Sequence, residues 1–145
     1  MSNTILRRRE RSLLPILSVS VFLIAATALA ATQLVTAKKG GEIDIAPGVV
    51  LKILPNALNE DTVISADIVR KGKRVCFEFQ PSGVTFAKPA LLGISWEAIN
   101  ESDIFGGLDG LILYTEDGSA IEPKVTGQGV TYRIEHFSIY YFRRR

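Results

Sequence analysis

A single cysteine and a single histidine stand among 145 residues, and each scarcity removes a class of chemistry. One thiol cannot build an intramolecular disulfide framework or a cysteine-based zinc site. One imidazole excludes a multi-histidine metal centre. A charge bias is missing as well. Four of the 17 Lys+Arg (Arg7, Arg8, Arg9 and Arg11) and one of the 15 Asp+Glu (Glu10) lie in the first 30 residues, which leaves 13 against 14 in the remaining 115. A body of net charge −1 offers no electrostatic footprint for nucleic acid, and none is expected as a partner. Helical periodicity is also lacking, since no stretch after Gly41 keeps it for ten residues. Neither a carboxylate pair, a nucleophile–base pair nor a phosphate loop declares a conventional enzyme, and no cofactor or metal is implied.

What is present first is a leader. The basic run from Arg7 to Arg11 precedes residues 13–31, which are apolar except for Ser18, Ser20 and Thr27. A basic segment, an apolar stretch and the small residues Ala28-Leu29-Ala30 compose a secretory signal over residues 1–30, with cleavage expected after Ala30. The apolar run is also long enough to span a bilayer, so an uncleaved anchor helix, tethering the chain through residues 13–32, is the alternative. Glu10, Arg11 and Ser12 occupy places where a twin-arginine signal wants apolar residues, which favours the general export route. No cysteine follows the run to carry a lipid. Either way the domain is expected outside the cytoplasm: secreted, periplasmic or anchored with its C-terminal part outward. Residues 31–41 read as a linker, 42–142 as one domain, and 143–145 as a basic tail.

Within that domain the recurring period is two. Val75, Phe77 and Phe79 oppose Arg74, Cys76, Glu78 and Gln80; Leu92, Ile94 and Trp96 oppose Leu91, Gly93 and Ser95; Val130, Tyr132 and Ile134 oppose Thr131, Arg133 and Glu135. Further strands are expected at residues 49–54, 62–69, 110–115, 120–125 and 139–142, with a short helical turn or irregular loop in 98–107. Lys71-Gly72-Lys73, Gly127-Gln128-Gly129 and Glu116-Asp117-Gly118-Ser119 read as hairpin turns, the last with the Asp-Gly pair that type I′ turns favour. One apolar face per strand implies an antiparallel β-sandwich of about eight strands.

Three segments carry a family resemblance. They are Gly48-Val49-Val50-Leu51-Lys52-Ile53-Leu54-Pro55-Asn56-Ala57-Leu58, then Phe79-Gln80-Pro81-Ser82-Gly83-Val84-Thr85-Phe86-Ala87-Lys88-Pro89, and the ending His136-Phe137-Ser138-Ile139-Tyr140. Together they resemble the ZU5 domain, a β-sandwich module of ankyrins, netrin receptors and death-domain adaptors. The middle segment resembles that family's Pro-x-Gly-x-x-Phe-x-x-Pro signature. Its residues also make physical sense alone: prolines suit strand ends and edges, Gly83 suits a turn of positive φ, and Phe86 suits an anchor on the core. The resemblance implies an interaction or structural module with an unidentified protein or envelope partner, not an enzyme.

In some ZU5 relatives the tripeptide found here as His136-Phe137-Ser138 is a site of self-cleavage. Carried over, Ser138 Oγ attacks the Phe137 carbonyl, His136 takes the hydroxyl proton, and water hydrolyses the resulting ester. The bland alternative is a strand running unbroken from Val130, in which His136 and Ser138 point inward and are satisfied by backbone bonds; a bulge near His136 reverses that orientation. A small filled sandwich is further expected to lack a polar concave pocket. Cys76 reads as an inert strand residue, with a reactive thiol or intermolecular disulfide as the alternative. Glu101, Asp103, Asp109, Glu116 and Asp117 read as solvated loop acids without calcium-loop spacing. Residues 70–74 and 143–145 are the basic clusters left, readable as solvated charge or as contacts to acidic headgroups.

Overall fold

The computed structural model describes residues 30–145. The expected leader over residues 1–30 lies outside them except for Ala30. The chain is mostly antiparallel β-structure in two sheets, an all-β sandwich. One sheet contains β1 (Ala31–Val35), β4 (Thr62–Lys71), β5 (Arg74–Gln80), β11 (Ile139–Arg143), β7 (Leu113–Thr115) and β8 (Ala120–Ile121), in that order. The other contains β2 (Gly41–Ala46), β3 (Val49–Ile53), β6 (Thr85–Ser95), β10 (Gly129–His136) and β9 (Lys124–Val125). Alternation supplies the core: Leu51, Leu92, Ile94 and Tyr132 face Phe77, Phe79, Tyr140 and Phe142, all buried. Tyr132 brings a hydroxyl inside, and it donates to the Leu111 carbonyl at 2.5 Å, so no donor is stranded.

Residues 31–41 are not a tether. Ala31 to Val35 pair with β4 from Ala66 to Thr62, and a turn closed by Gly40 N–H to the Thr36 carbonyl (2.9 Å) delivers the chain into β2. No alternation distinguishes this segment from a linker, because β1 is an edge strand with only Val35 buried. Residues 120–125 divide at Glu122-Pro123 into β8 and β9, which belong to different sheets. The segment expected at 110–115 shortens to β7. Trp96 leaves the strand alternation, because Ser95 caps α1 (Trp96–Glu101) by accepting from Ala98 N–H at 3.1 Å. A 3₁₀ turn, Asp103–Phe105, follows.

The hairpin between β7 and β8 is not type I′. Gly118 has φ 88° but Asp117 keeps a negative φ. Instead the Asp117 carboxylate accepts from Thr115 Oγ1 and from Ser119 N–H, the latter at 2.9 Å, and ties the loop from within.

Cys76 is buried in the outward row of β5, in register with Val69 of β4 and Tyr141 of β11. Burial pushes its thiol above the ordinary range, against the pull of Lys71, which disfavours the reactive thiolate.

Candidate functional site

The tripeptide marks the corner where the chain changes sheets. β10 ends at His136 in one sheet and β11 begins at Ile139 in the other, so Phe137 and Ser138 make the crossing. A register shift precedes it: Ile134 pairs with Ala90 but His136 pairs with Thr85. Five steps along β6 therefore match two along β10. Pro89, which has no N–H to give a ladder, sits in that irregular stretch instead of ending a strand.

The shift decides which way the side chains point. Glu135 and His136 are successive exposed residues, Phe137 is buried, and Ser138 is half-buried. The unbroken strand with inward His136 and Ser138 is therefore not what forms; the bulged alternative is. Phe137 packs its ring on Phe79 (centroids 5.2 Å, nearly parallel) and edge-on to Phe86 (4.9 Å). Its backbone is held as firmly. Phe137 N–H donates to the Val84 carbonyl at 2.7 Å, and the Phe137 carbonyl accepts from Gly83 N–H at 3.1 Å. Gly83 reaches this position with φ 85°, the left-handed conformation that glycine adopts without strain. Two of the three segments that carried the resemblance thus meet in one place.

Around the corner lies an open cleft of about 900 Å³, between the β7–β8 hairpin and the outward residues of β10. The expectation of no polar concavity fails here. Glu116, Asp117, Glu122 and Glu135 contribute four carboxylates to the lining, against one guanidinium from Arg133. His136, Ser138 and Tyr140 lie on the same cleft. Sharing a cleft does not couple the imidazole to the hydroxyl: Ser138 Oγ donates to the Ile139 carbonyl at 3.3 Å. The His136 carbonyl accepts from the Tyr140 hydroxyl at 2.6 Å, and the two rings lie 6.2 Å apart. Burial pushes that hydroxyl up to about 12, so it stays a donor through the physiological range.

The Asp117 carboxyl is displaced from its ordinary range. Hydrogen bonds from Thr115 and Ser119 hold it at about 2, below its ordinary 3.8, with a minor contribution from the charge of His136. A depressed carboxyl stabilises the fold above its unfolded pKa and stops doing so as pH falls through the folded one. The β7–β8 hairpin is therefore expected to stay closed down to about pH 4 and to loosen toward pH 2. A carboxyl-detected titration by NMR checks this; a midpoint near the ordinary 3.8 would show that the loop bonds are not made.

The other acids singled out from the sequence do not join this site. Glu101 ends α1, Asp103 opens the 3₁₀ turn, and Asp109 pairs with Arg145 at 3.7 Å. Arg133, Glu135, Glu122 and Tyr140 were missed. Arg133 and Glu135 were legible as outward residues of β10, but nothing local says that the β7–β8 hairpin stands beside them. No family model matches the chain, and no curated protein matches it.

Proposed function

We propose that this chain is an exported or membrane-tethered, ZU5-like interaction module that receives a basic segment of a protein or envelope partner in the cleft beside His136. The carrying observation is the cleft itself, with four carboxylates and one guanidinium in its lining and no catalytic pair joined by a hydrogen bond. Such a lining attracts cationic side chains and lends specificity more than raw affinity. The resemblance in three ordered segments supports the module reading, and the apolar stretch of residues 13–31 supports placement outside the cytoplasm. An oligolysine peptide titrated into the labelled chain tests the site. Shifts confined to the cleft, with affinity reduced roughly tenfold by Glu135→Lys as expected for lost charge complementarity, support the reading. Shifts scattered over other acidic loops, or none, overturn it.

One observation favours a second reading, self-cleavage between Phe137 and Ser138. The carbonyl that Ser138 Oγ would attack already accepts a backbone N–H, from Gly83, which is the kind of donor that stabilises a developing oxyanion. In that reaction the Ser138 oxygen bonds to the Phe137 carbonyl carbon, the peptide C–N bond breaks, and the proton passes through His136 to the freed Ser138 amine. Water then hydrolyses the ester, leaving fragments that end at Phe137 and begin at Ser138. Intact mass under denaturing conditions decides it. Two fragments that Ser138→Ala abolishes establish cleavage, and a single uncut species in both proteins ends the idea.

A further inference from the structure

Two basic clusters far apart in the sequence meet at one end of the sandwich. Arg74 of β5 pairs in register with Arg143 of β11, and Arg144 N–H donates to the Lys73 carbonyl at 2.7 Å. Residues 70–74 and 143–145 thus form one patch of seven cations, at the end of the six-stranded sheet away from the cleft. Two of the seven have carboxylate partners: Lys71 with Glu78 at 2.6 Å and Arg145 with Asp109 at 3.7 Å. Lys71, which reaches back along the sheet to Glu78, also feels the charge of the cleft carboxylate Glu116, while Glu97, Glu101 and Asp103 belong to α1 and the 3₁₀ turn on the side of the five-stranded sheet. The tip at Gly72 has open space around it. The guanidinium carbon of Arg74 sits over the Tyr141 ring (4.2 Å to its centroid) and that of Arg143 over the Tyr114 ring (3.9 Å). A guanidinium over a ring face is held there by the ring's electrons and uses none of its N–H donors on a carboxylate.

The direction of β1 gives the patch an occupant. β1 runs antiparallel to β4 and starts at Ala31, opposite Ala66. The five residues of β4 from Asp67 to Lys71 continue past that start, toward the side from which the chain enters β1. At about 3.4 Å per residue the basic tip extends about 17 Å beyond Ala31. The apolar run of residues 13–31 ends where β1 begins, so a chain anchored through that run has no spacer between bilayer and sandwich. The headgroup layer is only about 5–7 Å deep on each side of the hydrocarbon, less than that reach, so the tip meets it with β4 inclined toward the membrane plane and not upright.

We propose that the patch formed by residues 70–74 and 143–145 is a docking surface for anionic lipid headgroups, which seats the sandwich on its own membrane and leaves the acidic cleft facing away. The proposal rests on the tethered form of the reading above. Phosphate groups match the patch in charge and in the donor geometry of its arginines.

Amine-labelling rates provide the test, with the full chain reconstituted in vesicles of phosphatidylcholine alone or containing phosphatidylglycerol. Lys73 is expected to label roughly fivefold more slowly on the anionic vesicles, as cation–headgroup attraction requires, while Lys88 and Lys124 are unchanged. Protection should vanish at about 1 M NaCl, where the screening length is about 3 Å. Equal Lys73 labelling on both vesicles overturns the headgroup contact. Intact mass of the chain from its native host separates this from failure of the tether: a chain that begins at Ala31 overturns the anchored reading itself.

Discussion

Replacing Phe137 by alanine is expected to lower the stability of the fold by about 3–5 kcal/mol, the cost typical of deleting a fully buried aromatic ring. The side chain is 1% exposed and fills the corner between the sheets, against Phe79 and Phe86. Its removal leaves a cavity that the surroundings cannot easily close, because the backbone on both sides is fixed. Phe137 N–H and carbonyl are bonded to Val84 and Gly83, and β10 and β11 are anchored in different sheets. Partial collapse would have to pull one sheet toward the other. Ser138→Ala, one residue on, should change stability by less than about 1 kcal/mol, since its half-buried hydroxyl makes a single long bond to a neighbouring carbonyl. Urea unfolding of the two variants reads the contrast. A loss below about 1 kcal/mol for Phe137→Ala would mean that the corner is not packed as described.

The contrast between these neighbours bears on what their motif is for. Strong packing of Phe137 is a sufficient structural reason for an aromatic residue at this place. It also holds the peptide bond after Phe137 against a backbone N–H donor, the arrangement that an acyl shift would use. The same contacts therefore serve both readings of the tripeptide, and only the fate of the bond distinguishes them.

Much of the sandwich was legible because its central strands bury one face each. Phe77 and Phe79, Leu92 and Ile94, and Tyr132 and Ile134 mark β5, β6 and β10 by alternation alone. Legibility failed where burial did not follow period two. β1 exposes Thr32, Gln33 and Leu34 in succession, so nothing in its pattern distinguishes it from a linker. Trp96 fits the alternation of Leu92 and Ile94, but the Ser95 cap overrides it; Ser-x-x-Ala with Glu97 in the first turn was a readable start signal. The site divides in the same way. His136, Phe137 and Ser138 could be picked out by their order, and the bulge that turns His136 outward was one of two explicit alternatives. The cleft could not be foreseen. It exists because β11 lies between β5 and β7, which stands the β7–β8 hairpin beside the corner, and sheet order is a non-local property.

Gly40→Ala is expected to cost about 3 kcal/mol, combining left-handed strain for a non-glycine residue with overpacking against backbone. Gly40 has φ 66°, and a methyl group there would collide with the Ile53 carbonyl oxygen and approach Leu54 C at 2.8 Å and Pro55 N at 2.9 Å. These are main-chain atoms of β3 and its exit, so no rotamer change can relieve the contact. The turn they brace is stitched on three sides: Gly40 N–H to Thr36, Asn56 N–H to the Ala37 carbonyl at 2.8 Å, and Ala37 N–H to the Asp61 carboxylate at 2.8 Å. Displacing Gly40 therefore loosens the turn joining β1 in one sheet to β2 in the other, together with the loop that follows β3. A flexible linker over residues 31–41 would make a different prediction, a change within about 0.5 kcal/mol, as for an ordinary surface substitution. Lys39→Ala, an exposed neighbour, supplies that baseline in the same unfolding experiment. Equal midpoints for the two variants would return this segment to the status of a tether and remove β1 from the sheet. A large loss confined to Gly40→Ala would establish that residues 31–41 are part of the folded sandwich.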